Sequence, residues 1–134
     1  MADEIAAVQA GTLTPEVVLE HFREQFFTEY CVTYFRFLAS LCLKTHADEY
    51  APFVPTGVSI DQFCKEEVDA VRSDADHLQM TALTRILGLG VDVSYLDQSE
   101  TPDGTINTIV FDNNGESPIV AHLIYRPGHF DVAF

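Results

Sequence analysis

The run Tyr125-Arg126-Pro127-Gly128-His129-Phe130-Asp131 joins residue types that do acid–base chemistry to a turn that would aim them. Pro-Gly punctuates the entry into a strand. Residues two apart in a strand share a face, so His129 and Asp131 should stand about 6.5–7 Å apart at Cα. At that spacing the carboxylate accepts one imidazole N–H, fixes the tautomer and leaves the other nitrogen to take a proton. A cysteine or serine nucleophile needs such a base, itself oriented by a third polar group. The same pair also suits an ordinary edge strand, and spacing alone does not separate the two readings.

The remaining candidates are plainer. His21 and His46 lie in or beside helical segments without a partner at metal spacing. His77 follows Asp76 where an aspartate N-cap is expected, and His122 alternates with apolar neighbours as a structural strand residue. No two histidines form an H-x-x-x-H pair, and neither G-x-x-x-x-G-K-[ST] nor G-x-G-x-x-G occurs, so neither a metal nor a nucleotide cofactor is expected. Cys31, Cys42 and Cys64 are odd in number and lack C-x-x-C spacing, which argues against a disulfide framework or a zinc site. They read as small buried hydrophobes in a reducing, cytoplasmic compartment, with the nucleus also open to such a protein.

Helices come first along the chain and strands last. Residues 1–13 read as a flexible N-terminus, and 14–134 as a single domain. Thr14-Pro15-Glu16 has the form of a helix start. Phe27, Tyr30, Cys31, Tyr34, Phe37, Leu38, Leu41 and Cys42 then step by three and four, predicting one broad aromatic stripe that packs into the core. Pro52, Pro55 and Gly57 interrupt the chain, and Ser59 with Gln62 has capping-box spacing before a second helix through Val68. A third helix carries Leu78, Ala82, Leu83 and Ile86 and stops at Gly88 and Gly90. From there the period becomes strand-like, over Val91–Tyr95, Thr105–Phe111, Pro118–Tyr125 and His129–Phe134, with Pro-, Asn- and Gly-rich turns between. The pattern predicts an α+β fold, N-terminal helices packed on a mostly antiparallel C-terminal sheet.

Composition narrows the partners. The 134 residues carry 21 acidic and 7 basic side chains, a formal charge of −14, so a nucleic-acid partner is not expected. No apolar run approaches the ~18–20 residues of a membrane span, because Arg36 interrupts the richest stretch, and the acidic N-terminus does not read as a secretory signal. The 47% hydrophobic content is enough for a packed core.

Four stretches together resemble a known family. They are Glu29–Leu38 with its Tyr34-Phe35-Arg36-Phe37 run, Ile60–Val68 with Gln62-Phe63-Cys64, Asp74–Leu83 with Asp76-His77, and Tyr125–Asp131. In this order they are similar to the C-terminal half of an otubain, a thiol deubiquitinase of the ovarian-tumour (OTU, peptidase C65-like) class. The resemblance runs from about Pro15 to Phe134, and the last stretch is its most specific part. It implies a partial OTU-like cysteine-protease fold. It implies that His129 is the general base of a Cys-His-Asp triad and that Asp131 orients it. It implies that His77 and Arg126 face ubiquitin or another partner, and that ubiquitin, polyubiquitin and a ubiquitin-conjugating enzyme are the partners.

Two departures from the family pattern matter. Gln79 stands where otubains usually carry a second histidine, which bears on binding of a conjugating enzyme. The family's nucleophile segment, Asp-Gly-Asn-Cys-Phe-Tyr, has no counterpart among these residues. None of the three cysteines follows a glycine at a helix start, where backbone N–H groups would activate a thiol. The expectation is base and orienter without a nucleophile, inactive alone. The alternative is a non-catalytic module that binds ubiquitin or a conjugating enzyme. A bland third reading is a fragment whose uncovered apolar faces drive self-association, and a fourth supplies the missing half from a separate chain.

Overall fold

Helices open and close where their residue types dictate. A computed structural model describes residues 2–71, 73–112 and 115–133. The helices are α1 (Ala2–Gln9), α2 (Pro15–Arg23), α3 (Gln25–Thr45), α4 (Ala47–Tyr50), α5 (Ile60–Phe63) and α6 (His77–Leu87). A 3₁₀ turn at Ala51–Phe53 follows α4, and α5 runs directly into a π-helix at Cys64–Val68. The strands are β1 (Gly90–Glu100), β2 (Ile106–Phe111), β3 (Ile119–Arg126) and β4 (His129–Ala133). The chain falls into two compact units, one through Phe35 and one from Arg36 onward.

In the first unit, the stretch before Pro15 is helical over Ala2–Gln9, whose alanines, Glu4 and Gln9 are good helix formers. Pro15 occupies the first turn of α2, and a break at Glu24 separates α2 from α3 where the sequence predicted one continuous helix. Across that break Thr28 Oγ1 donates to the Phe22 carbonyl at 2.7 Å, and the Phe22 and Phe27 rings meet edge-on at 5.1 Å.

The second unit holds the core. Ala39, Cys42 and Leu43 of α3 pack with Tyr50, Ile60, Cys64, Val68 and Ala82. The predicted aromatic stripe is corrected here. Its cysteines are buried, but Tyr30 is 71% exposed and Phe37 63% exposed, while Ala39, Ser40 and Leu43 turn inward. Small side chains let the neighbouring elements approach that face of α3 closely, and the aromatic ridge lies on the other flank.

Ser59 caps α5 by accepting the Gln62 N–H at 3.2 Å, but the capping box that the spacing predicts is only half formed, because the Gln62 side chain donates to Glu66 at 3.2 Å instead. Arg36 Nη1 donates to the carbonyl of Val68 at 3.0 Å, and Nη2 donates to that of Ser73. One guanidinium thereby ties the end of the π-helix to the approach to α6. Gly88 closes α6 at φ 64°, a left-handed conformation that a residue with a Cβ adopts only at a cost.

The sheet order is β2-β1-β3-β4. Its two outer pairings, β1–β2 and β3–β4, are antiparallel, but the central β1–β3 pairing is parallel. Strand patterning does not encode that central pairing, because β2 and its flanking loops carry the chain from one side of β1 to the other. Register places Tyr95, Tyr125 and Phe130 side by side across three strands. Asp92 and His122 are likewise neighbours in the parallel pair, one residue out of phase with Val93 and Leu123.

Candidate functional site

The β3–β4 hairpin is the turn that the sequence predicts. Pro127 and Gly128 connect the strands, with Gly128 at φ 79°, and Arg126 stands opposite His129. Asp131 lies opposite Ile124, so His129 and Asp131 share a face. His129 Nε2 is 3.4 Å from Asp131 Oδ2. The two groups stand at ion-pair distance without a formed hydrogen bond, a looseness usual in an unliganded acid–base pair. With Nε2 turned to the carboxylate, Nδ1 is the nitrogen left to take a proton. Arg126 Nη2 reaches the same Oδ2 at 3.5 Å.

His129 is among the residues lining a cleft of about 1010 Å³ between the sheet and the segment leading into α6. Its floor includes Val93, Phe111 and Leu123, and an aromatic row runs across it. His77 stacks on Tyr95 at 6.0 Å, Tyr95 meets Tyr125 at 5.2 Å, and Tyr125 meets Phe130 at 4.8 Å. The row thus runs from His77 to Phe130, the residue next to His129, a link that the spacing of residues along the chain does not reveal. Tyr95, Tyr125 and Phe130 are single aromatics on three strands, and only the register joins them.

His77 is held from both sides. Its Nδ1 is 3.1 Å from Asp76 Oδ1 and its Nε2 is 3.4 Å from Tyr95 Oη. Asp76 is the N-cap of α6, as its place in the sequence predicts. The backbone and ring N–H groups of His77 hold its carboxyl below the usual carboxylate range. Burial pushes the Tyr95 phenol up, and the charge of Asp76 adds to the effect. Gln79 is 7% exposed and closes the capping box with Asp76, so the residue that replaces a family histidine serves the helix start.

The thiols lie elsewhere. Among the described residues no cysteine lines the cleft. Cys42 Sγ is 3.9 Å from His46 Nδ1 and 4.0 Å from Tyr50 Oη. However, His46 Nδ1 is 3.0 Å from the Cys42 carbonyl, which takes its N–H, so the imidazole is not placed as a base for that thiol. Cys64 Sγ faces the Ser40 carbonyl at 3.9 Å. Burial pushes both the Cys42 and Cys64 thiols up. Cys31 is buried on α3. Among the described residues no group of three or more His, Cys, Asp or Glu is placed to hold a metal.

A second imidazole–carboxylate pair is tighter than the first. His122 Nδ1 lies 2.6 Å from Asp92 Oδ2 and ties β3 to β1. The strand histidine read as structural therefore has a firm partner. His21, by contrast, sits beside Phe27 in the first unit, away from any metal spacing.

The family model for peptidase C65, otubain, matches residues 1–134. This chain belongs to the otubain family. An otubain-like ubiquitin thioesterase of Caenorhabditis elegans is 33% identical over 128 residues, 95% of this chain and 45% of that protein. An ovarian tumor domain-containing deubiquitinating enzyme of Arabidopsis thaliana is 33% identical over 146 residues, 98% of this chain and 47% of its own length. A solved complex of ceOTUB1 with ubiquitin aldehyde and UBC13~Ub superposes with a TM-score of 0.87 and 30% identity, covering 98% of this chain and 53% of that one. This otubain therefore spans about half the length of the relatives it matches. Its helices and mixed sheet are a partial OTU-like fold.

Proposed function

We propose that these 134 residues carry the base-and-orienter half of an otubain-type deubiquitinase, with His129 as general base and Asp131 as its orienter. The observation that supports this most is the Tyr125–Asp131 hairpin, which sets the Nε2 of His129 3.4 Å from a carboxylate and makes His129 one of the residues lining an aromatic cleft. The proposed partners are ubiquitin or polyubiquitin, and a ubiquitin-conjugating enzyme, with His77 and Arg126 as contact residues.

In a complete active site the chemistry is acyl transfer. His129 Nδ1 takes the thiol proton, and the sulfur attacks the glycine carbonyl of the ubiquitin isopeptide. The proton then passes to the departing lysine amine, and water resolves the acyl-enzyme. Among the described residues no cysteine on the cleft wall supplies the thiol, so the 134 residues alone are inactive in this proposal. Removing a triad nucleophile leaves at most a small residual enhancement.

The test is incubation with ubiquitin bearing a C-terminal electrophile. No covalent adduct is expected, and labelling of any of the three cysteines would overturn the proposed inactivity. If a separate chain supplies the Asp-Gly-Asn-Cys segment, activity should appear on mixing and be lost in His129→Ala. Unchanged activity in that variant would remove His129 from its role.

The second reading, a non-catalytic binding module, draws on the row from His77 to Phe130, because binding needs no thiol. Titration with mono- and di-ubiquitin by NMR should shift resonances of that row. No shift at about millimolar ligand, the weak limit of a meaningful affinity, would eliminate it.

A further inference from the structure

Asp131 is poorly held for a residue whose task is to orient another. It lies on β4, the edge strand of the sheet, and its side chain is 59% exposed. A carboxylate in water turns freely, and a single contact of 3.4 Å to an imidazole is a weak tether. A second donor reaches it. Arg126, the cross-strand partner of His129, places Nη2 3.5 Å from Oδ2, the same oxygen that faces the ring.

We infer that Arg126 is a positioning residue, acting through Asp131 to keep Oδ2 turned to His129 Nε2 and so fixing which ring nitrogen is left bare. The inference rests on His129 being the base of the proposed site, and gives Arg126 a task besides any contact with a partner. Two donors on one oxygen, one from each strand, restrict the carboxylate to the space between them. The guanidinium suits this because it keeps its charge at every working pH and presents several N–H groups in a fixed plane. Lysine keeps the charge but not the plane, so it should do the job less well. The hairpin sets the geometry, because a direct cross-strand pair and its diagonal neighbour lie within reach of long side chains.

The experiment reads the tautomer of the His129 ring from its two ¹⁵N shifts, in the labelled 134-residue chain at about pH 9, where an ordinary imidazole is neutral. The resonances are assigned with His129→Gln. In Arg126→Met the ratio of Nε2–H to Nδ1–H should fall about threefold, the size expected of one exposed charge-assisted contact. Asp131→Asn should produce a comparable fall, the double variant no further one, and Arg126→Lys should recover part of the loss. An unchanged ratio in Arg126→Met, or additive losses in the double variant, would overturn the inference. So would a rise, which would make Arg126 a competitor for the oxygen. Backbone amide shifts of β3 and β4 separate the effect from a loosened hairpin, and Arg126→Lys keeps the comparison open if the methionine variant unfolds. The readout requires neither ubiquitin nor a thiol, so it fails independently of the deubiquitinase proposal.

Discussion

Gln79 Oε1 accepts the backbone N–H of Asp76 at 3.2 Å, while the Asp76 carboxylate accepts N–H groups at the start of α6. Each side chain satisfies a donor that would otherwise be unpaired at a helix end. Because those N–H groups hold the Asp76 carboxyl below its ordinary value, its contribution to stability has a definite sign. It is present in full above the unfolded carboxyl's pKa of about 4, and is lost as pH falls through the lower folded value. Asp76→Ala should cost about 1 kcal/mol at pH 7 by urea unfolding. The gap between the two proteins should close toward pH 2–3, and a gap that persisted there would contradict the linkage.

The same relationship decides what restoring the family's histidine would do. At position 79 the side chain is buried and spent on the helix start, so Gln79→His loses an acceptor for Asp76 and must fit a ring into a covered site. The variant should be less stable by about 1 kcal/mol, with no gain in binding to a conjugating enzyme. Thermal unfolding and a binding isotherm measured on both proteins check it. Tighter binding with unchanged stability would show that position 79 faces the partner after all.

The thiols give a third prediction. Cys42 and Cys64 are 2% and 0% exposed, and burial raises both above the ordinary thiol range. Thiolate is the reacting form, so both should react with a disulfide reagent at pH 7.5 many times more slowly than a free thiol. Unfolding in urea should expose all three cysteines to rapid reaction. A thiol that reacts at the free rate in the native protein would mark a nucleophile that the cleft geometry does not account for.

Local signals are legible in the sequence, and pairings across the fold are not. Asp76, Ser59, Pro15 and the Pro127-Gly128 turn act within four residues of themselves, so type and spacing suffice to place them. His129 and Asp131 belong to the same class, because a strand puts alternate residues on one face wherever that strand lies. The parallel β1–β3 pairing is different in kind: it depends on a crossover that residue types do not specify, and Asp92–His122 and the aromatic row depend on it in turn. Arg36 shows the same limit. As sequence it reads only as a charge that interrupts an apolar helix, yet it binds carbonyls more than thirty residues away.

The exposed aromatic ridge of α3 leads to the last prediction. Tyr30, Tyr34, Phe37 and Leu41 recur at spacings of four, three and four, the interval of a helix–helix seam, and are respectively 71%, 46%, 63% and 46% exposed. Apolar area of this kind favours association, while a net charge of −14 opposes it by mutual repulsion. The two terms respond differently to salt. Screening shortens the reach of the repulsion from about 30 Å at 0.01 M to about 8 Å at 0.15 M, and leaves the apolar attraction in place. Sedimentation should therefore show self-association that strengthens as salt is raised. Phe37→Glu, which adds a charge to the middle of the ridge, should weaken it at every salt concentration. A monomer under all these conditions would mean that the ridge is too small or too mobile to hold a second copy.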